Sequence, residues 1–191
     1  ATEGLVLDEN GPCTQVVVSA PTFCKLFITI IGNPVHVSEP KNGINALEIA
    51  CRAINELRLG FIKKGVTFNI GMFTAGTAAN TVPGRATMEC DLRSFDNEKL
   101  LNSLHKIKNK FKKQTKLLKG KIIFQETFGY YAYKTGNTGI LKKLKAVYKR
   151  MGLKPNFFST FGGSDANIFN NKGIICAPVG SGYYNAHAYN E

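Results

Sequence analysis

Three histidines and a handful of carboxylates carry most of the chemistry that 191 residues could offer. His187 follows the apolar run Gly173–Val179 and the loop Gly180-Ser181-Gly182-Tyr183-Tyr184-Asn185. That is the place, beyond the carboxyl end of a strand, where open α/β sheets bind ligands. A loop histidine with no ligand fits the local sequence as well. His36 sits in Gly32-Asn33-Pro34-Val35-His36-Val37-Ser38, between a strand and a helix, and can serve as a cap or as a site. His105 falls among lysines on a helix and reads as structural. Gly162-Gly163-Ser164-Asp165 is a tight turn opening a helix. Its free amides could hold a carboxylate or an oxyanion, or Ser164 and Asp165 could simply cap the helix. Asn80-Thr81-Val82-Pro83-Gly84 reads as a turn, and Arg93 as a polar-face strand residue.

The elements that must position these groups alternate in an informative order. Cys24 to Ile31 is a strand with Cys24, Leu26, Ile28 and Ile30 on one face. Asn42 to Leu57 has helical spacing, with Leu47, Ala50, Cys51, Ile54 and Leu57 as its apolar stripe. A strand over Thr67–Thr74 follows, then one over Arg85–Arg93 in which Ala86, Met88, Cys90 and Leu92 point inward. A Lys-rich helix capped by Asp96 or Asn97 and a strand over Lys121–Phe128 complete the series. The order β-α-β-β-α-β predicts a ferredoxin-like α+β unit with both helices on one face of a four-stranded antiparallel sheet. The flanks predict α/β material: one strand over Gln15–Ser19, a helix around Ile140–Met151, a strand over Phe157–Phe161, a short helix to Asn170 and a strand over Gly173–Val179. An α/β domain (1–20 and 130–191) interrupted by an inserted lid (21–129) is the simplest topology.

Composition excludes several classes. Lys plus Arg number 25 against 13 Asp plus Glu, for a net charge of +12, and the hydrophobic fraction is 43%. That fraction excludes disorder. The longest apolar stretch is far short of the ~20 residues a membrane span needs, so no membrane partner is expected. Five scattered cysteines with no Cys-x-x-Cys pair point to buried or half-buried thiols in a reducing, cytoplasmic compartment. Nine of the 25 basic residues lie between Lys99 and Lys121. A solvated helix face explains them, and the only aromatic there, Phe111, belongs to the apolar stripe, so nucleic acid is not the expected partner.

Taken jointly, four motifs resemble the dinuclear-zinc aminopeptidases, carboxypeptidases and deacylases, a family that includes peptidase T, carboxypeptidase G and acetylornithine deacetylase. They are Gly32-x-x-x-His36 followed by Gly43-Ile44-Asn45-Ala46; Asn80-x-Val82-Pro83 with Arg93 thirteen residues on; Gly162-Gly163-Ser164-Asp165-Ala166-Asn167; and Asn185-Ala186-His187-Ala188-Tyr189-Asn190-Glu191. The last two look most like the peptidase T branch. The resemblance implies that Asp8 and His187 are metal ligands in a site for two zinc ions. It implies that His36 stabilises the oxyanion in the partner subunit, that Asn80 and Arg93 bind substrate, and that Gly162, Gly163 and Ser164 line its pocket. It further implies a cytoplasmic peptidase for short peptides that dimerises through the lid. A deacylase or carboxypeptidase of the same family is the alternative, and a non-catalytic basic oligomerisation module a more distant one. The family's His-x-Asp and Glu-Glu motifs, which supply the remaining ligands and the general base, occur nowhere in the sequence. The chain is therefore expected to be a fragment, inactive alone.

Overall fold

The computed structural model describes residues 1–184, which divide into two compact units. One comprises Ala1–Thr22 with the chain from Tyr130 onward, and the other Phe23–Gly129. Both mix helices with sheets.

The Phe23–Gly129 unit is built on strands β3 (Thr22–Ile31), β4 (Gly60–Lys63), β5 (Val66–Ala75), β6 (Arg85–Ser94) and β7 (Lys121–Tyr130), in the sheet order β4-β5-β6-β3-β7. Helices α1 (Ala46–Asn55) and α2 (Asn97–Leu117) pack on each other and on β6. The alternation read from the sequence holds: Cys24, Leu26, Ile28 and Ile30 are buried, as are Ala86, Met88, Cys90 and Leu92. They meet Ile49, Leu100, Leu104, Ile107 and Phe111 in one core. Each large side chain buried there contributes roughly 1.5–3 kcal/mol.

Three expectations need correction. Helix α1 starts at Ala46 rather than Asn42, because Asn45 is the cap and accepts a hydrogen bond from the Glu48 N–H at 3.1 Å. Its buried stripe is Ala46, Ile49, Ala50 and Ala53, with Cys51 exposed, because α2 and the sheet claim the side carrying the small residues. The sheet has five strands rather than four. Gly65 turns at φ +76° and lets Gly60–Lys63 fold back antiparallel on the start of β5. The cap of α2 is Asp96, which accepts from the Lys99 N–H at 3.0 Å.

The lysines of α2 are not an unopposed stripe. Lys108 pairs with Glu126, and Lys110 and Lys113 both pair with Glu56 at the end of α1. Hydrogen bonds from Lys110, Lys113 and Gln114 hold the Glu56 carboxyl down to about 2 from its ordinary 4.5. A depressed carboxyl stabilises the fold fully above its ordinary value, and that contribution disappears as the pH falls through the folded one. Thermal melts of the wild type and Glu56→Gln should therefore differ most at pH 7, converge below pH 4.5 and coincide near pH 2. A gap that persists at pH 2 would show that the staple is not electrostatic.

The other unit holds β1 (Glu3–Glu9), β2 (Gln15–Ala20), β8 (Tyr133–Lys134), α3 (Gly139–Arg150), β9 (Asn156–Ser159), α4 (Asp165–Asn171) and β10 (Ile175–Gly180). The opening segment supplies two strands rather than one. β1 runs parallel to β10, from Glu3 opposite Ile175 to Glu9 opposite Gly180. That pairing joins opposite ends of the chain, so nothing local announces β1. β2 pairs with β9, β10 and β8, and α3 covers Val16, Ala177 and Val179 through Leu141, Leu144 and Tyr148. None of the described helices is long and apolar enough to cross a membrane.

Candidate functional site

A cavity of about 270 Å³ opens in the β1/β10 unit, where the ends of β1 and β10 meet the turn before α4. Asp8, Glu9 and Asn10 form one wall, and Thr160, Gly162, Gly163 and Ser164 another. Ala20 and Tyr133 also line it. The structure thus brings Asp8 together with the Gly-Gly-Ser turn, from positions more than 150 residues apart in the sequence. Asp8 is exposed at the end of β1, and its carbonyl accepts a hydrogen bond from the Tyr183 hydroxyl at 3.3 Å. Burial raises the Glu9 carboxyl above its ordinary range, with the neighbouring Asp8 charge adding to the rise.

The turn is built by reciprocal capping. Ser164 Oγ accepts from the Ala166 N–H at 3.3 Å, while Asn167 Oδ1 accepts from the Ser164 N–H at 3.1 Å. The structure shows the capping reading of this motif, with Ser164 as the cap, and Gly162, Gly163 and Ser164 also line the cavity. A Cβ on Gly163 would lie 2.0 Å from the Tyr130 ring, so any larger residue there has to push the end of that side chain aside. Asn167 is fully buried, and its Nδ2 donates to the carbonyls of Pro21 at 3.1 Å and Tyr131 at 2.9 Å. Those carbonyls belong to the two segments where the chain leaves and re-enters this unit. The sequence reading placed Asn167 in the motif without this role. An asparagine at the third position of a helix opened by serine was the available signal.

His36 and Asn80 lie in the other unit, on two loops zipped together. His36 bridges Thr81, the Val37 N–H donates to the Asn80 carbonyl at 2.9 Å, and the Val82 N–H donates to Val35 at 2.8 Å. Gly32 anchors the first loop, since a Cβ there would sit 1.9 Å from the Ile44 carbonyl oxygen. The His36 ring is exposed, and its Nδ1 accepts from the Ser38 N–H at 3.2 Å, with Ser38 Oγ at 2.8 Å. A backbone N–H can only donate, so in the neutral ring the proton resides on Nε2 and points away as a donor.

Arg93 is not beside this pair. It lies at the far end of β6 from Arg85, eight residues and so about 27 Å along an extended strand. Its guanidinium chelates Asp91, with Nε to Oδ1 at 2.9 Å and Nη2 to Oδ2 at 2.8 Å, and stacks 5.2 Å from the Phe23 ring centroid. His187 lies outside the described residues. His105, exposed on α2, bonds Asn109 at 2.8 Å, consistent with a structural role.

Among the described residues no group of three or more His, Cys, Asp or Glu could hold a metal ion, so they do not by themselves make a zinc site. Asp8 and Glu9 are the carboxylate residues that line the cavity. Thiol chemistry is disfavoured where the cysteines are buried: burial pushes Cys24 up to about 11 and Cys90 up to about 12. Cys13 and Cys51 are exposed, against the expectation of burial.

A sequence profile of the peptidase dimerisation domain matches residues 20–118. The chain belongs to the M20 peptidase family. A tripeptidase from Staphylococcus aureus superimposes with a TM-score of 0.95 at 32% identity, over 100% of this chain and 52% of that one. The aminopeptidase PepT from Bacillus cereus gives a TM-score of 0.91 at 31% identity with the same coverage of each chain. The uncharacterised protein YqjE of Bacillus subtilis is 30% identical over 100% of this chain and 52% of its own length. An amidase of the hydantoinase/carbamoylase family from Burkholderia vietnamiensis, at 17% identity and a TM-score of 0.75 over 94% of this chain and 47% of that one, shares the fold. The chain thus spans about half the length of the relatives it matches.

Proposed function

We infer that this chain is part of a metal-dependent M20 peptidase acting on short peptides, to which it contributes a ferredoxin-like dimerisation lid (21–129) and part of the zinc-binding α/β domain (1–20 and 130–191). The observation that carries the reading is whole-chain similarity to two peptidases at 31 and 32% identity, against 17% for the amidase, which weighs against the deacylase alternative. Asp8 and His187 are this chain's metal donors in that reading. Gly162, Gly163 and Ser164 line the substrate cavity, and Asn80 and Arg93 bind substrate. The 27 Å span of β6 assigns Asn80 and Arg93 to different ends of the lid. His36 presents Nε2–H to the oxyanion in the partner subunit, and the fixed tautomer supports that role.

Tripeptide hydrolysis tests the reading. The 191-residue chain alone should show none, because it carries no His-x-Asp or Glu-Glu segment. A polypeptide that also supplies those segments should hydrolyse tripeptides and lose activity on chelation. Hydrolysis by the chain alone, or none by the longer polypeptide with zinc, would count against it.

The second copy is placed along β5. β4 covers only Val66–Phe68, so Asn69–Ala75 has no described partner on that side, and it exposes Met72 at 60% and Phe73 at 40%. An apolar strand edge of this kind pairs readily with another. Light scattering should give a dimer for the wild type and a monomer for Met72→Lys/Phe73→Lys. A double variant that remains dimeric removes β5 from the interface.

A further inference from the structure

The end of α1, the strand β4 and the middle of α2 enclose another cavity, of about 250 Å³, within the Phe23–Gly129 unit. Its floor is apolar: Phe68 and Ile107 are buried in the core, and Leu57 and Ile62 pack against it. Its rim is cationic. Arg58, Lys63, Lys106 and Lys110 line it, against the one carboxylate of Glu56. Lysine and arginine stems ordinarily lie along apolar surface and cover it. Two of these four are anchored to other partners, Lys63 by donating to the Lys99 carbonyl at 3.2 Å and Lys110 by pairing with Glu56 at 2.9 Å, and the floor between them stays open. Arg58 and Lys106 are exposed and have no ion-pair partner among the described residues. A cleft whose charges share one sign above low-dielectric walls concentrates the field and draws in counter-ions. The volume equals roughly eight water molecules at ~30 Å³ each. Every lining residue falls between Glu56 and Lys110, so this cavity shares none with the one in the β1/β10 unit.

We propose that this cavity binds a small amphiphilic anion, a carboxylate taken by Arg58 and Lys106 on a compact apolar or aromatic body that rests on Phe68 and Ile107. The guanidinium fork matches a carboxylate, and the floor supplies the apolar contact that a bare surface lysine lacks. An amino acid is disfavoured, because its ammonium would face the same cations as its carboxylate. Glu56 offers that ammonium nothing, being engaged already by Lys110, Lys113 and Gln114. The inference therefore concerns neither substrate nor product of peptide hydrolysis and does not rest on the peptidase reading.

Amide chemical shifts of the 191-residue chain, titrated with 4-phenylbutyrate, test it. Binding should saturate with a Kd of about 0.2–2 mM, and the shifts should gather at Leu57, Ile62, Phe68 and Ile107. The amine of the same body, 4-phenylbutylamine, should bind at least about 10-fold more weakly, and so should acetate, which lacks the body. Homophenylalanine, the same acid with an added ammonium, should bind at least about 5-fold more weakly. Arg58→Glu/Lys106→Glu should weaken the acid at least about 10-fold and strengthen the amine. Lys112→Glu/Lys116→Glu makes the same change in net charge at exposed positions of α2 outside the cavity, and should leave the acid's affinity within about two-fold. Arg58→Gln and Lys106→Gln, which add no new charge to the fold, should each weaken the acid about 3-fold. No saturation by about 10 mM, equal binding of the amine, equal loss in the two double variants, or shifts spread along α2 instead of gathered at the cavity would each overturn the proposal.

Discussion

Replacing Asn167 by alanine is expected to destabilise the unit that holds the cavity by about 2–4 kcal/mol. The side chain is fully buried and satisfies three backbone groups, the Ser164 N–H and the carbonyls of Pro21 and Tyr131. Asn171 also donates to Tyr131, at 3.2 Å, so that carbonyl retains one partner and the loss is less than the sum of three. Removing the amide leaves the other groups desolvated and unpaired, at about 1–3 kcal/mol each. Urea unfolding reads the effect as a lower midpoint at unchanged slope. Hydrogen exchange adds a signature that a general loss of packing lacks, because the Ser164 amide should lose protection before the strand amides of β2. A midpoint shift worth under 0.5 kcal/mol would show that water replaces the amide and that the clamp is incidental. Asn167→Asp tests the same point differently: it keeps the acceptor for Ser164 N–H and sets a carboxylate against two carbonyls, so it should be at least as damaging as alanine.

His36→Ala should lower kcat of the assembled peptidase by about 10²–10³, with KM changed only a few-fold. The expectation follows from its geometry. The ring is exposed, so its removal leaves the core untouched and the chain's melting temperature unchanged. Its Nδ1 is engaged by Ser38, so the group it offers outward is a single N–H donor. A donor that strengthens its hydrogen bond only as charge develops affects kcat rather than KM. Ser38→Ala should reduce kcat by roughly 10-fold or less, because the Ser38 backbone N–H still fixes the tautomer. Mixing His36→Ala with a partner inactivated elsewhere should restore about a quarter of the wild-type rate if the ring acts across the dimer, since half the dimers are mixed and each has one complete site. No recovery on mixing would confine His36 to its own subunit.

Much of this chain was legible from periodicity. Strict alternation over Cys24–Ile31 and Arg85–Arg93 announced two strands and the face each buries, and the structure keeps both. Alternation is legible because a strand's side-chain period is fixed at two by covalent geometry, whatever covers it. The spaced motifs from Gly32 to Glu191 likewise pointed to the family, and two of them combine residues that need one another locally: a glycine where the Ile44 carbonyl crowds position 32, and a serine and an asparagine that cap one helix.

What the sequence could not determine was which side of α1 is buried, that Glu3–Glu9 is a strand, and that one cavity gathers Asp8, Ser164 and Tyr133. These are facts about partners far along the chain. The buried stripe of α1 depends on where α2 and the sheet lie, and β1 exists as a strand through pairing with β10, nearly the whole chain length away. Local propensity records what a segment can do, while burial and pairing record what distant segments do to it, and only tertiary structure contains that second term.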